Sequence, residues 1–230
     1  MKKAFFILFK IILIIILIIC MYEISVKVVG YFEAVNTGKI VREIYYNKEK
    51  PLSDINSDYK CWINIENTNI DYPVVQSEDN DYYLKRNFFN KKNYSGSVFF
   101  DFRVDKNSRN AILYAHNMKD GTMFANIEKF KNKDFFDENN KIIIEKDGVK
   151  YEYEVFSVYY LSGKENAHLK THFGPNEEFR AYLDTAKARS LFESKRELNN
   201  NEILTISTCS YEFKDCRTVV HAQLDKIKMD

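Results

Sequence analysis

The chain has 230 residues, 45% of them hydrophobic and 15% aromatic, which is enough for one domain with a sizeable core. Its 34 basic and 33 acidic residues nearly cancel, and this balance excludes the strong basic excess that is typical of nucleic-acid-binding proteins. With only 7 Gly and 3 Pro, the composition also excludes a low-complexity or collagen-like chain.

The N-terminal segment, residues 4–21, is apolar except for Lys10. A helix of this length rises about 27 Å, close to the roughly 30 Å thickness of a membrane's hydrocarbon core. Its length, and the sequence that follows it, favour an uncleaved signal-anchor over a cleaved signal peptide. Lys2 and Lys3 before the span favour a cytoplasmic N-terminus and an extracellular main domain. We therefore expect a single-pass membrane protein whose anchor is residues 1–25.

After the anchor, apolar residues at helical spacing continue from residue 24 to about 47 and predict one or two further helices. Polar residues after Pro51 mark a boundary. The sequence thus predicts a helical juxtamembrane region over residues 26–55 and one main domain over residues 56–230.

The main domain shows a series of short apolar runs that predict strands. They cover residues 60–66, 69–76, 96–101, 110–116, the two arms of 141–161, 202–209 and 217–227. Asp147-Gly148 between the arms of 141–161 is a strong hairpin signal. Eight short strands favour a mostly β fold, a largely antiparallel barrel or sandwich with helical insertions.

Three segments of the main domain are expected to be helical or ordered insertions. Residues 79–89 predict a short helix or ordered loop capped by Asp79 or Asn80, and residues 121–130 predict a helix capped by Thr122. Residues 175–194 show the clearest helical pattern outside the anchor.

The strongest chemical signal lies in Ile203–Val220. Cys209 ends one apolar strand and Arg217 begins the next, so a hairpin brings them to the same site. A cation beside a thiol lowers the pKa of the thiol and can bind a carbonyl oxygen that gains negative charge. Two alternatives stay open: a Cys209–Cys216 disulfide, and a metal site of Cys209, Cys216 and His221, although that spacing matches no usual zinc pattern.

A thiol nucleophile also needs a proton carrier, and the sequence offers four histidines. His116 ends an apolar strand, the same architectural position as Cys209, and is our candidate; the alternative is a hydrogen-bonded core histidine. His168 and His172 lie in a polar loop and are expected at the surface. His221 lies on the last strand, about 13 Å from Arg217 along the strand.

Three sequence features occur together in this chain: the motif Thr205-Ile206-Ser207-Thr208-Cys209, an arginine after it at Arg217, and Ala115-His116-Asn117 upstream. In this combination the chain resembles the sortases. These are membrane-anchored cysteine transpeptidases of Gram-positive bacteria, and their motif at the nucleophile is T-L-x-T-C. Ile replaces the motif Leu here, a conservative departure. "CSYEF" after the strand, "DNDYYL" upstream and the helix at 175–194 are most similar to class B.

The resemblance implies an eight-stranded sortase-type β-barrel with catalytic residues His116, Cys209 and Arg217. Cys209 is then expected to attack the Thr carbonyl of an NPxTN- or LPxTG-like sorting signal on a surface protein. His116 protonates the leaving amine and Arg217 steadies the oxyanion. An amine of a peptidoglycan precursor or cross-bridge resolves the thioacyl-enzyme. No metal or organic cofactor is expected.

The same motifs suggest Asn80, Leu84, Tyr114 and Ser207 as substrate-binding residues; ordinary packing is the alternative for each. Two other functions remain open. An extracellular cysteine protease or peptidoglycan amidase would use the same thiol with water as the acceptor. A membrane-tethered binding domain would carry Cys209 and Cys216 oxidised.

Overall fold

The computed structural model describes residues 2–229, with the backbone alone for Lys2, Ala4 and Ala34. Residues 1 and 230, the outer limits of the predicted domains, lie outside the described residues. The helices are α1 (Lys2–Tyr46), α2 (Lys133–Glu138) and α3 (Asn176–Ala188), with 3-10 turns at Leu52–Asp54, Tyr82–Leu84, Ala125–Lys131 and Ala167–Leu169. The strands are β1 (Tyr59–Ile65), β2 (Asp71–Val75), β3 (Val98–Phe100), β4 (Asn110–Tyr114), β5 (Lys141–Lys146), β6 (Val149–Ser162), β7 (Ile203–Ser210) and β8 (Cys216–Met229).

The eight strands close into one barrel in the order β1-β2-β3-β4-β7-β8-β6-β5. Two neighbouring pairs, β2–β3 and β4–β7, are parallel, and the others are antiparallel. The predicted eight-stranded, mostly antiparallel barrel is confirmed, and the sandwich alternative is not the fold adopted. Full closure leaves no unpaired sheet edge.

The hairpin predicted at Asp147-Gly148 is present as a two-residue connection, because Lys146 pairs directly with Val149. Both turn residues have positive φ, 52° for Asp147 and 75° for Gly148. Aspartate and glycine tolerate this left-handed conformation, which matches the twist of the flanking strands. The dipeptide therefore fixes the register of β5 against β6.

The inner faces of the strands enclose the main apolar core, and the 3-10 helix Ala125–Lys131 packs against that core. Ile127 and Phe130 of this helix are completely buried. Cys61 is buried among the same residues, so its predicted role as a small apolar core side chain is confirmed.

The N-terminal region is one helix, α1, which continues through Gly30 and Gly38. Its last turns pack on the barrel: Tyr45 stacks on Trp62 at 3.9 Å, and the Tyr46 hydroxyl donates to Asp71 at 2.8 Å. Within the described chain, the helix over Phe5–Tyr46 is long and apolar enough to cross a membrane. The anchor and its orientation stay predictions.

Two details of the predicted helices were wrong. Thr122 does not cap a helix; its backbone NH and hydroxyl donate to Asp120, and the 3-10 helix begins three residues later. Helix α3 ends at Ala188, six residues before the predicted end. Of the two proposed caps near residue 80, Asp79 accepts from the backbone NH groups of residues 81 and 82.

Candidate active site

Cys209 and Arg217 are directly opposite each other in the antiparallel ladder of β7 and β8. One further pair, Ser210 with Cys216, closes the hairpin before a loop of exposed residues, 211–215. Cys209 and Arg217 are both half-buried. Directly opposed residues of an antiparallel pair project from the same face of the sheet, so the thiol and the guanidinium share one side of the hairpin.

His116 reaches this site through the parallel pairing of β4 with β7. The ladder ends at Tyr114 opposite Ser207, and His116 and Cys209 each follow two residues after that pair. Since the two chains run in the same direction, the histidine and the cysteine lie beside each other at the same end of the barrel.

Beyond the last main-chain pair of β4 and β7, side-chain hydrogen bonds connect the two segments that carry His116 and Cys209. The Thr208 hydroxyl donates to the Ala115 carbonyl at 2.8 Å, and the Asn117 amide donates to the Cys209 carbonyl at 2.8 Å. The Tyr211 hydroxyl donates back to the Asn117 carbonyl at 3.1 Å. These bonds hold the segment that carries the histidine against the segment that carries the thiol.

The imidazole of His116 is oriented by a backbone group. Its Nε2 lies 2.8 Å from the carbonyl oxygen of Leu84, which can only accept a hydrogen bond. Nε2 therefore carries a proton, and Nδ1 is the nitrogen free to exchange one with a reacting group. A backbone carbonyl partner cannot be predicted from residue type, so the sequence analysis missed that the Leu84 carbonyl orients His116.

The Arg217 guanidinium is held within its own hairpin end. Nη2 forms an ion pair with Asp215 at 3.2 Å, and Nη1 donates to the Cys216 carbonyl at 3.2 Å. A third of the side chain remains exposed. An arginine has five N–H donors, so donors remain for a substrate carbonyl.

Cys209 and Cys216 are not bonded, and all four cysteines are free. Cys216 pairs with Ser210 and so projects from the opposite face of the hairpin to Cys209. A bridge between them would require the hairpin to rearrange. The disulfide alternative is therefore wrong for this structure. Burial, together with the Glu212 carboxylate, raises the pKa of Cys216.

The alternative of a metal site at Cys209, Cys216 and His221 is not supported either. His221 is buried, with Nδ1 2.8 Å from the Thr205 hydroxyl and Nε2 2.8 Å from the Tyr159 hydroxyl. Across residues 2–229, no cluster of three or more His, Cys, Asp or Glu side chains is arranged to hold a metal ion.

The other two histidines differ from each other. His168 is buried, so its expected surface position was wrong, and burial followed by the charges of Arg189 and Arg217 lowers its pKa to about 4. His172 is exposed as expected and contacts Asp105 at 2.8 Å. Neither is tied to the Cys209 segment by the hydrogen bonds described above, which single out His116.

Asn80 and Tyr114 meet at a buried carboxylate that the sequence analysis missed. Asp101 Oδ2 accepts from the Asn80 amide at 3.1 Å and from the Tyr114 hydroxyl at 2.9 Å, while Arg103 grips both carboxylate oxygens. Burial alone raises the pKa of Asp101, but these hydrogen bonds outweigh it and lower the pKa. Leu84 is half-buried, and Ser207 is buried beside Tyr114. Leu84 therefore contacts His116 through its carbonyl, Tyr114 and Ser207 lie two residues before His116 and Cys209, and Asn80 is connected to Tyr114 through Asp101. Their role in substrate binding stays a prediction.

Comparison with known proteins gives the family. A sortase domain model matches residues 63–225, most of the barrel. The chain belongs to the sortase family. The sortases are cysteine transpeptidases, so this protein is an enzyme of that class.

Relatives of this sortase belong to class B. Sortase B of Listeria monocytogenes is 37% identical over 180 residues, which cover 76% of this chain and 73% of the relative. The X-ray structure of Clostridium perfringens sortase B is 43% identical, with a TM-score of 0.75, and covers 77% of this chain and 100% of that one. A Staphylococcus aureus sortase B–substrate complex is 33% identical, with a TM-score of 0.71, over 76% of this chain and 83% of the other.

Proposed function

We propose that this sortase cleaves a C-terminal sorting motif similar to NPxTN or LPxTG at the Thr carbonyl and joins the surface protein to an amine of the peptidoglycan. The observation that carries the proposal is the arrangement of Cys209 opposite Arg217, with the His116 segment hydrogen-bonded to the Cys209 segment. Nucleophile, oxyanion partner and proton carrier come from three adjacent strands.

In the first acyl transfer, the Cys209 thiol passes its proton to Nδ1 of His116, and the sulfur attacks the Thr carbonyl carbon and forms a C–S bond as the carbonyl π electrons move to the oxygen. The negative charge that develops on the carbonyl oxygen is stabilised by the free N–H donors of Arg217. The C–N bond then breaks, and His116 delivers a proton from Nδ1 to the leaving amine. The product is a thioester between Cys209 and the surface protein.

In the second acyl transfer, an amine attacks the thioester carbonyl. His116 accepts the proton that the amine loses, a C–N bond forms, and the C–S bond breaks to release Cys209 as a thiolate. The same histidine therefore acts as acid in one step and base in the next. Neither step calls for a metal or organic cofactor.

Asn80, Leu84, Tyr114 and Ser207 are proposed to line the sorting-signal groove. Support comes from their connection to the catalytic residues: the Leu84 carbonyl holds His116, and Ser207 lies two residues before Cys209. A related Staphylococcus aureus sortase B has been solved with its substrate, which supports a peptide groove on this fold.

The proposed location is the extracellular face of a Gram-positive cell membrane, with the N-terminus in the cytoplasm. The continuous helix α1, apolar over its first half, supports a single-pass anchor. The proposed partners are surface proteins with a sorting signal and an amine of a peptidoglycan precursor or cross-bridge.

The full chain in detergent, incubated with a fluorogenic sorting peptide, tests this function. The wild type is compared with Cys209→Ala and Cys216→Ala, each with and without triglycine as the amine. We expect cleavage by the wild type and by Cys216→Ala, none by Cys209→Ala, and an amide product when amine is present. Undiminished cleavage by Cys209→Ala would contradict the proposal. Cleavage without any amide product would identify a hydrolase instead.

A further inference from the structure

The hairpin that carries Cys209 and Arg217 is held from its opposite face. Ser210 follows Cys209 and Thr218 follows Arg217, so their side chains project away from the thiol and the guanidinium. Ser210 and Thr218 are both buried. They face the 3-10 helix Ala125–Lys131.

Two charged residues of that helix bind both strands of the hairpin. The Lys131 ammonium donates to the Ser210 hydroxyl at 3.1 Å and forms ion pairs with Glu128 and Glu212. Glu128 in turn accepts from the Thr218 hydroxyl at 2.6 Å. One ammonium group thus connects β7, β8 and the loop between them.

This cluster is shielded from solvent, unlike an ordinary surface ion pair. The Lys131 side chain is only 16% exposed, and Glu128 and Glu212 are about a third exposed. Burial alone lowers the pKa of Lys131, but its two carboxylate partners outweigh this and raise it. Burial likewise favours a higher pKa for Glu212, yet the bonds from Lys131 and Ser210 lower it to about 2. Lys131 and Glu212 are therefore both charged at neutral pH.

The helix that carries Lys131 provides a fixed point. Ile127 and Phe130 are completely buried in the core, so the helix cannot shift without disturbing that packing. Strand β8 pairs with β6 as far as Cys216, but the pairing of β7 with β4 ends at Ser207, so beyond Ser207 the main-chain ladder holds β7 on one side alone. The loop that follows, residues 211–215, is exposed. A strand end that is paired on one side frays unless other contacts hold it.

We propose that Lys131 is a positioning residue that keeps Cys209 and Arg217 in register by binding the opposite face of their hairpin to the core. Lys131 lies on the opposite face of the hairpin from Cys209 and Arg217 and touches neither the substrate nor the reacting atoms. The role rests on the proposed acyl transfer for its effect on rate, but the effect on hairpin order is independent of that function.

Lys131→Met, Lys131→Arg and Thr218→Val test the proposal in the full chain. Lys133→Met is the matched control, because Lys133 also forms an ion pair with a carboxylate, but in an exposed i,i+4 pair on α2. The readouts are kcat and KM with the fluorogenic peptide, the melting temperature, and amide hydrogen exchange over residues 207–219 measured by mass spectrometry.

We expect Lys131→Met to lower kcat by about tenfold with KM within about twofold, and to speed exchange over residues 207–219. Lys131→Arg should recover most of the rate, and Lys133→Met should match the wild type. Thr218→Val, which removes one hydroxyl and leaves the charges paired, should show a smaller change in the same direction.

Unchanged exchange and unchanged kcat in Lys131→Met would overturn the proposal. The proposal would also be overturned if kcat fell only in proportion to the unfolded fraction and Lys131→Arg had no higher kcat than Lys131→Met. If even the wild type fails to cleave the peptide, the proposed function fails, and hydrogen exchange still decides whether Lys131 orders the hairpin.

Discussion

Nε2 of His116 donates to the backbone carbonyl of Leu84 over 2.8 Å. A carbonyl partner fixes the orientation and the tautomer of the ring but, unlike a carboxylate, brings no negative charge to stabilise the imidazolium. Residue 84 therefore contacts His116 through its backbone carbonyl, while its side chain is the part proposed to contact the substrate. The contribution of the Leu84 carbonyl and that of the Leu84 side chain can therefore be measured separately.

Leu84→Ala keeps the carbonyl and removes the side chain. We expect kcat within about twofold of the wild type and a higher KM for the sorting peptide, because the truncation keeps the carbonyl that orients His116 and removes side-chain contacts with the substrate, besides some packing on the apolar cluster around Trp62. His116→Ala should lower kcat by about 10²- to 10⁴-fold, the usual contribution of a general acid–base group. Steady-state kinetics on both variants check this, and an unchanged KM in Leu84→Ala would remove that side chain from the groove.

Asn117→Ala removes the amide that binds the Cys209 carbonyl. Loss of one neutral hydrogen bond is expected to cost about 1 kcal/mol, so kcat should fall about fivefold if that bond sets the position of the thiol. Asn126→Ala is the control, since Asn126 binds Asn69 and Gly121 at the surface. If both variants retain the wild-type rate, the bond does not position the nucleophile.

The two thiols of the hairpin, Cys209 and Cys216, should differ sharply in their rate of reaction with iodoacetamide. Cys209 is half-exposed, whereas Cys216 is fully buried and its pKa is raised by burial and by Glu212. Because the thiolate is the reactive form, alkylation should occur first at Cys209 and should abolish peptide cleavage. Peptide mapping after brief labelling identifies the site; faster labelling of Cys216 would contradict this placement.

Acid should destabilise the barrel through its buried histidines. Burial lowers the pKa of His168 to about 4 and that of His221 to about 3, below the value near 6.5 in an unfolded chain. Between pH 6.5 and 4 the unfolded chain then binds more protons, so the free energy of unfolding falls as pH falls.

At pH 5 each of these histidines is expected to cost about 2 kcal/mol relative to pH 7.5. Urea unfolding of the wild type and of His168→Phe at the two pH values measures this. The variant should lose about 2 kcal/mol less on acidification than the wild type. Equal losses would show that His168 is not held neutral in the folded protein.

Local sequence signals predicted much of this fold. Asp147-Gly148 gave the β5–β6 hairpin because its residues suit one turn geometry, and the strand ending at Cys209 gave the pairing with Arg217. Those features depend on residues close in sequence. The approach of His116 to Cys209 depends on the parallel pairing of β4 with β7, about ninety residues apart. The strand-end position of His116 made it a candidate, and the resemblance to the sortases indicated the pairing.

The features that sequence reasoning missed depend on three-dimensional packing. The partner of His116 is a backbone carbonyl, which every residue possesses, so no residue type reveals it. Asp101, which is buried, and Lys131, whose side chain is 16% exposed, belong to residue types that are usually exposed, and each has partners in distant segments. His168 lies in a polar segment yet is buried beneath Arg189 and helix α3.

The proposed function requires Cys209 to form a thioester with the sorting peptide. Intact-protein mass spectrometry after rapid acid quench, with peptide present and amine absent, tests it directly. We expect an added mass equal to the N-terminal part of the peptide up to the Thr, mapped to Cys209, removed by triglycine and absent from Cys209→Ala. An adduct on another residue, or cleavage with the same adduct in Cys209→Ala, would contradict it.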